Sequence, residues 1–173
     1  MGSIGSVKPA VGKGPLGVGI IPPPGVRFLA FSAKLEIDLD RKPNKDAFEL
    51  ESSFTLSSTA SNGIHPVAEP VTFQVGTFTT TIPPGSFNKH RDEDEDEDED
   101  EHGHGHEDGF FAFGGVIDGV KLHALIKRTG TLRYAFHAEG KGANLTGTTN
   151  PVPVMLTIGD DSGATSVNAQ IFR

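Results

Sequence analysis

Cysteine and tryptophan are both absent from this chain of 173 residues. Without cysteine there is no disulfide framework, no thiolate metal site and no cysteine nucleophile, and the redox compartment leaves no mark. No stretch approaches the roughly 18 apolar residues of a membrane span, and the first residues lack the apolar core of a signal peptide. Also missing are the G-x-S-x-G elbow, the P-loop, H-E-x-x-H and the dinucleotide fingerprint, so the expectation is a non-enzymatic protein that requires no cofactor. Nor does any window of a dozen residues carry a helical period.

What is present is glycine (22) and proline (12), with apolar residues alternating between turn signals about every ten residues. That is how an all-β sandwich or barrel reads. Strands are expected near 26–32, 33–40, 47–55, 70–75, 77–82, 110–117, 120–128, 132–139, 152–158 and 164–172, with turns at Asp118-Gly119, Thr129-Gly130 and Asp160-Asp161-Ser162-Gly163. Residues 1–25 form a Gly/Pro-rich arm ending in Pro22, Pro23 and Pro24; within it Leu16, Val18 and Ile20 alternate as a strand does.

An internal repeat organises the rest. Lys34 to Leu39 resembles Lys121 to Ile126, Ala47 to Ser52 matches Arg133 to Ala138, and Val71 to Gly76 matches Val154 to Gly159. The fold class that follows is an antiparallel, Ig-like or jelly-roll-like β-sandwich over 26–173, formed by duplication of a two-hairpin unit. Its halves are about 26–87 and 110–173, with an insertion at 91–109. A three-residue loop at Thr129-Gly130-Thr131 would set Leu122 opposite Ala138, Ala124 opposite Phe136 and Ile126 opposite Tyr134. Outside, His123 then faces His137 and Lys127 faces Arg133. The repeat carries this register to the first hairpin: Ile37 with Leu50 and Leu39 with Phe48 inside, Glu36 with Glu51 and Asp38 with Glu49 outside. The two outer faces would be opposite in sign and favour head-to-tail contacts.

The phrases FTTTIPP (Phe78 to Pro84), GVIDGVKLHALI (Gly115 to Ile126) and the run from Tyr134 to Gly163 resemble uncharacterised β-sandwich modules of bacterial exported proteins. The resemblance covers roughly 28–173 apart from the acidic insertion. It implies the fold and an extracellular or cell-surface location, and it assigns no functional residue.

Charge concentrates in the insertion. Asp92 to Asp108 reads DEDEDEDEDEHGHGHED and holds 12 acidic residues, leaving 11 acidic against 15 basic elsewhere. Nothing apolar offsets the ordering of such a run. Asp92, Asp94, Asp96, Asp98 and Asp100 with their glutamates are candidates for weak, multivalent Ca2+ binding or for adsorption to a basic or mineral surface; the alternative is a solubilising spacer. His102, His104 and His106, with Glu107 and Asp108, form an imidazole cluster suited to Zn2+, Ni2+ or Cu2+. His123 and His137 are a second candidate pair, needing a third ligand such as Glu139 or a loop carboxylate. The polyanionic run disfavours nucleic acid.

Two functions follow. The first is a structural or adhesive module that self-associates into oligomers or filaments, the arm adding a strand to a neighbour through Leu16, Val18 and Ile20. The alternative is a cation-binding module acting through the acidic, histidine-rich loop.

Overall fold

The computed structural model describes residues 25–91 and 109–173, and these form two packed β-sheets. The strands are β1 (Val26–Arg27), β2 (Ala30–Asp38), β3 (Asp46–Thr55), β4 (Val71–Val75), β5 (Phe78–Ile82), β6 (Asn88–Arg91), β7 (Gly109–Ile117), β8 (Val120–Arg128), β9 (Arg133–Ala143), β10 (Val152–Ile158), β11 (Asp161–Val167) and β12 (Gln170–Phe172). The small sheet runs β1-β11-β10-β4-β5 and the large sheet β12-β2-β3-β9-β8-β7-β6. Among the described residues no helix is long and apolar enough to cross a membrane. The arm with Leu16, Val18 and Ile20, and the loop candidates from Asp92 to Asp108, lie outside the described residues.

Alternation produces this arrangement. In β3 the buried residues Phe48, Leu50, Ser52 and Phe54 alternate with more exposed ones, and β8 buries Val120, Leu122, Ala124 and Ile126 in the same way. The inner faces meet through aromatic rings. Phe73 of the small sheet packs on Phe136 at 5.5 Å and on Phe48 at 6.0 Å, while Phe54 stacks between Phe28 at 4.5 Å and Tyr134 at 5.4 Å. Gly140 faces Phe48 across β3 and β9, and a Cβ there would fall inside the Phe48 ring.

The duplication is visible in the topology. Each half supplies one hairpin to the large sheet (β2–β3, β8–β9) and then one to the small sheet (β4–β5, β10–β11), and the halves meet along β3–β9 and β4–β10. The small-sheet hairpins match residue for residue. Val75 pairs with Phe78 across Gly76-Thr77, and Ile158 pairs with Asp161 across Gly159-Asp160. Both turns open on a glycine in the left-handed region, φ +58° and +57°, where a side chain would be strained. The last turn is therefore Gly159-Asp160, and Asp161 already belongs to a strand.

Several expectations are corrected. The large-sheet registers slip by two residues. Leu122 pairs with Gly140, Ala124 with Ala138 and Ile126 with Phe136, while Lys127 meets Ala135 and not Arg133. The reason lies in a displaced turn: Thr129 N–H donates to Arg133 O at 2.9 Å, so the three-residue loop is Gly130-Thr131-Leu132, one residue later than expected, and the Arg128 guanidinium donates to the carbonyls of Gly130 and Thr131. In the first hairpin Leu35 pairs with Leu50 and Ile37 with Phe48. There Leu39 leaves the hairpin to donate its N–H to Phe172 O, and the buried Asp46 carboxylate accepts from Asp40 N–H at 2.9 Å and Leu145 N–H at 2.7 Å, tying two loops together. A two-residue slip keeps every side chain on its expected face but changes every partner.

The chain also switches sheets where single strands were expected. Phe28 and Leu29 separate β1 from β2, and Asn168 and Ala169 separate β11 from β12, Ala169 being held on both backbone groups by the Asn150 amide. The short strands β1 and β12 pair parallel to β11 and β2, so the sandwich is antiparallel in all but its two terminal strands. Strand β6, polar and exposed throughout, has no apolar period to announce it.

Asp161 is buried beside the docking point of β1, where Val26 N–H donates to Asp160 O and Phe28 N–H to Ser162 O. Its Oδ2 accepts from Ser61 Oγ at 2.9 Å, and its Oδ1 has no partner among the described residues. Burial raises its pKa above the ordinary 3.8; the Ser61 hydrogen bond opposes this, and Asp160 and Glu69 add to it. A raised folded pKa contributes stability below the unfolded value that is lost as pH rises through the folded one. Asp161→Asn is therefore expected to leave stability near pH 3 almost unchanged and to raise it at pH 7. Urea midpoints measured across that range should show the gap opening as pH rises.

Candidate functional site

Among the described residues, the outer face of the large sheet gathers the charged positions that the sequence places on the two hairpins. Because β3 and β9 are neighbours, the acidic and basic hairpins lie side by side in one sheet and do not form two separated faces of opposite sign. That removes the electrostatic argument for head-to-tail contacts, since the two signs meet within one molecule. Lys34 faces Glu51, which faces His137, and this row continues to Leu125 on β8.

The adjacent row is Glu36, Glu49, Glu139 and His123, on β2, β3, β9 and β8 in turn. His123 thus opposes Glu139 and not His137. Three carboxylates stand in line across neighbouring strands, an arrangement that destabilises a sheet. The central two approach one imidazole: His137 Nε2 lies 3.3 Å from Glu49 Oε1 and 3.8 Å from Glu139 Oε1. One ligand-type atom from each of Glu49, His137 and Glu139 lies within 4.8 Å of the others. His137 is half-buried and both glutamates are exposed, so the group faces solvent from a rigid sheet. Beside it Ser32, Ser53, Leu125 and Ala135 line a shallow depression, with Ser32 Oγ and Ser53 Oγ hydrogen-bonded at 2.8 Å.

Glu139 follows from the sequence as a third ligand to the histidine pair, whereas Glu49 reaches the site only through the pairing of β3 with β9, the seam between the two halves. The repeat offered a clue, since it made each half contribute one charged outer strand, but it fixed no pairing between them.

The second feature is an edge. Strand β6 pairs with Gly109–Ala112 only, so beyond its end Phe113, Gly114, Gly115, Val116 and Ile117 of β7 pair with β8 on one side and with no strand among the described residues on the other. Val116 is 69% exposed there. Of the strands that end the two sheets, β1, β12 and β6 have two, three and four residues and β5 runs into Pro83-Pro84. The short β12 and β1 likewise leave Ala30–Leu35 of β2 and Gly163–Val167 of β11 without a second strand partner among the described residues, on the flank where β11 packs against β2.

Relieving the carboxylate row should be measurable. Glu36→Gln removes one opposed charge and is expected to stabilise the fold by about 0.2–1 kcal/mol in chemical denaturation, less at high salt.

Comparison of the chain with protein-family models, with curated proteins and with solved structures finds no match.

Proposed function

We propose that this protein is a non-enzymatic structural module that joins to copies of itself by strand addition at the Phe113–Ile117 flank of β7. The observation that carries this reading is the unpaired half of β7, with its exposed Val116 and two strand glycines. Unpaired backbone on an apolar edge is a template for another strand.

The donor is the N-terminal arm, whose Leu16, Val18 and Ile20 alternate as an added strand requires. The reach of the chain supports donation between molecules. The chain enters the described fold at Gly25 and β1, on the flank of the small sheet where β11 packs against β2. From β2 to β7 there are four strand spacings of about 4.8 Å, roughly 19 Å, plus the ~10 Å between sheets. The five residue steps from Ile20 to Gly25 span at most about 18 Å. The donor of one copy therefore serves the acceptor of the next. The chain enters the described fold on the flank opposite the acceptor, and heterologous contacts of this kind build open chains where the rotation does not close. Together with the resemblance of 28–173 to exported sandwich modules, this supports work at the cell surface or outside the cell.

Light scattering and electron microscopy of the full chain over a range of concentrations test the proposal. Assembly is expected for the wild type and is expected to be lost in Val116→Lys and in Val18→Asp/Ile20→Asp. A wild type that stays monomeric near 1 mM (an order-of-magnitude ceiling for weak, millimolar association), or assembly unaffected by either variant, would overturn it.

A further inference from the structure

The Glu49–His137–Glu139 group sits at a particular place in the duplicated fold. Lys34 faces Glu51, and its counterpart Lys121 faces Lys141. Two residues before Glu51 is Glu49, and two before Lys141 is Glu139, and these two glutamates face each other across β3 and β9, the seam between the halves. The same correspondence puts Glu36 in register with His123, one on each wing of the row.

Folding does not require this arrangement. All the residues of the row lie on the outer face, where lysine or threonine would satisfy the sheet equally well and would not set like charges opposite each other. An imidazole inserted between two converging carboxylates also has the stereochemistry of a metal site. In a tetrahedral zinc centre with bonds of about 2.0–2.1 Å, ligand atoms stand roughly 3.3 Å apart. Here His137 Nε2 already stands 3.3 and 3.8 Å from the two carboxylate oxygens. The ligands arise from two adjacent strands, which fixes their backbones, and small rotations of the exposed glutamates would complete convergence.

We propose that Glu49, His137 and Glu139 form a binding site for a divalent transition-metal ion of the zinc type, with its remaining coordination open towards solvent. One imidazole nitrogen among the ligands favours such ions over Ca2+, which takes oxygen ligands. The site is distinct from the histidine and acidic run of residues 92–108 and from the β7 edge.

The test must separate this site from that run. A metal that binds the folded state alone raises the melting temperature, whereas one bound equally by folded and unfolded chain does not. Three sheet residues brought together by β3–β9 pairing exist as a site only in the folded protein. His102, His104 and His106, being close in sequence, are available in both states. The experiment is thermal unfolding of the full chain with and without Zn2+ at about ten times its dissociation constant, in a His102→Ala/His104→Ala/His106→Ala background. A rise of about 3–6 °C is expected. It is expected to vanish in His137→Ala and in Glu49→Gln/Glu139→Gln, both surface changes whose folding is checked by their metal-free melting curves. Calorimetry on the same background should show the affinity falling at least tenfold in each variant. Absence of a Zn2+-dependent rise, a rise that persists in both variants, or a rise with Ca2+ but not Zn2+ would overturn the proposal.

Discussion

Two sheets hold together here because Phe73 on one reaches Phe48 and Phe136 on the other, and the remaining architecture depends on keeping that contact dry. Burying a phenylalanine contributes about 1.5–3 kcal/mol, and offset or edge-on ring pairs add about 0.5–1.5 kcal/mol each. The contact also dictates composition nearby: Gly140 is the residue on β9 that faces Phe48, and any larger residue would displace the ring. With the inner faces committed to this core, everything on the opposite side of each strand is released for other uses. Polar chemistry on the large sheet is possible because no outer residue is needed for packing.

How much of this was readable in advance depends on the range of the interaction responsible. Strands such as β4, β5, β8 and β10 announced themselves because their period-2 pattern is local. The large-sheet registers were not legible, since the Asp46 carboxylate and the Arg128 guanidinium hold the connecting loops through hydrogen bonds that no periodicity encodes. Switches of sheet at Phe28 and Ala169 were hidden for the same reason, because a strand that changes partner keeps its alternation. The repeat anticipated one hairpin per half in each sheet, yet its matches of Lys34–Leu39 to Lys121–Ile126 and of Ala47–Ser52 to Arg133–Ala138 do not fit one register, since Lys34 pairs with Glu51 whereas Lys121 pairs with Lys141. Histidines could be singled out by type, but Glu49 joins His137 through a pairing of residues 88 apart, which only the assembled sheet reveals.

The edges show a parallel economy. Three of the terminal strands are so short that they offer little to an incoming chain, and prolines close a fourth. Where β6 stops, β7 continues with its exposed Val116 and no second strand among the described residues. On the opposite flank the one-sided stretches of β2 and β11 pack against each other, so the two sides of the sandwich are not equivalent.

The fused halves have one further consequence. A homodimer of one two-hairpin unit would carry every residue near its axis twice: a histidine at the position of His137 would appear on both sides, or on neither. In the single chain the repeat sets Glu51 against His137 and Glu36 against His123. A continuous chain is free of exact symmetry, so that Glu49 and Glu139, facing each other across the seam, share the one imidazole of His137. Chemical direction on this face is open to a continuous chain and closed to a symmetric pair.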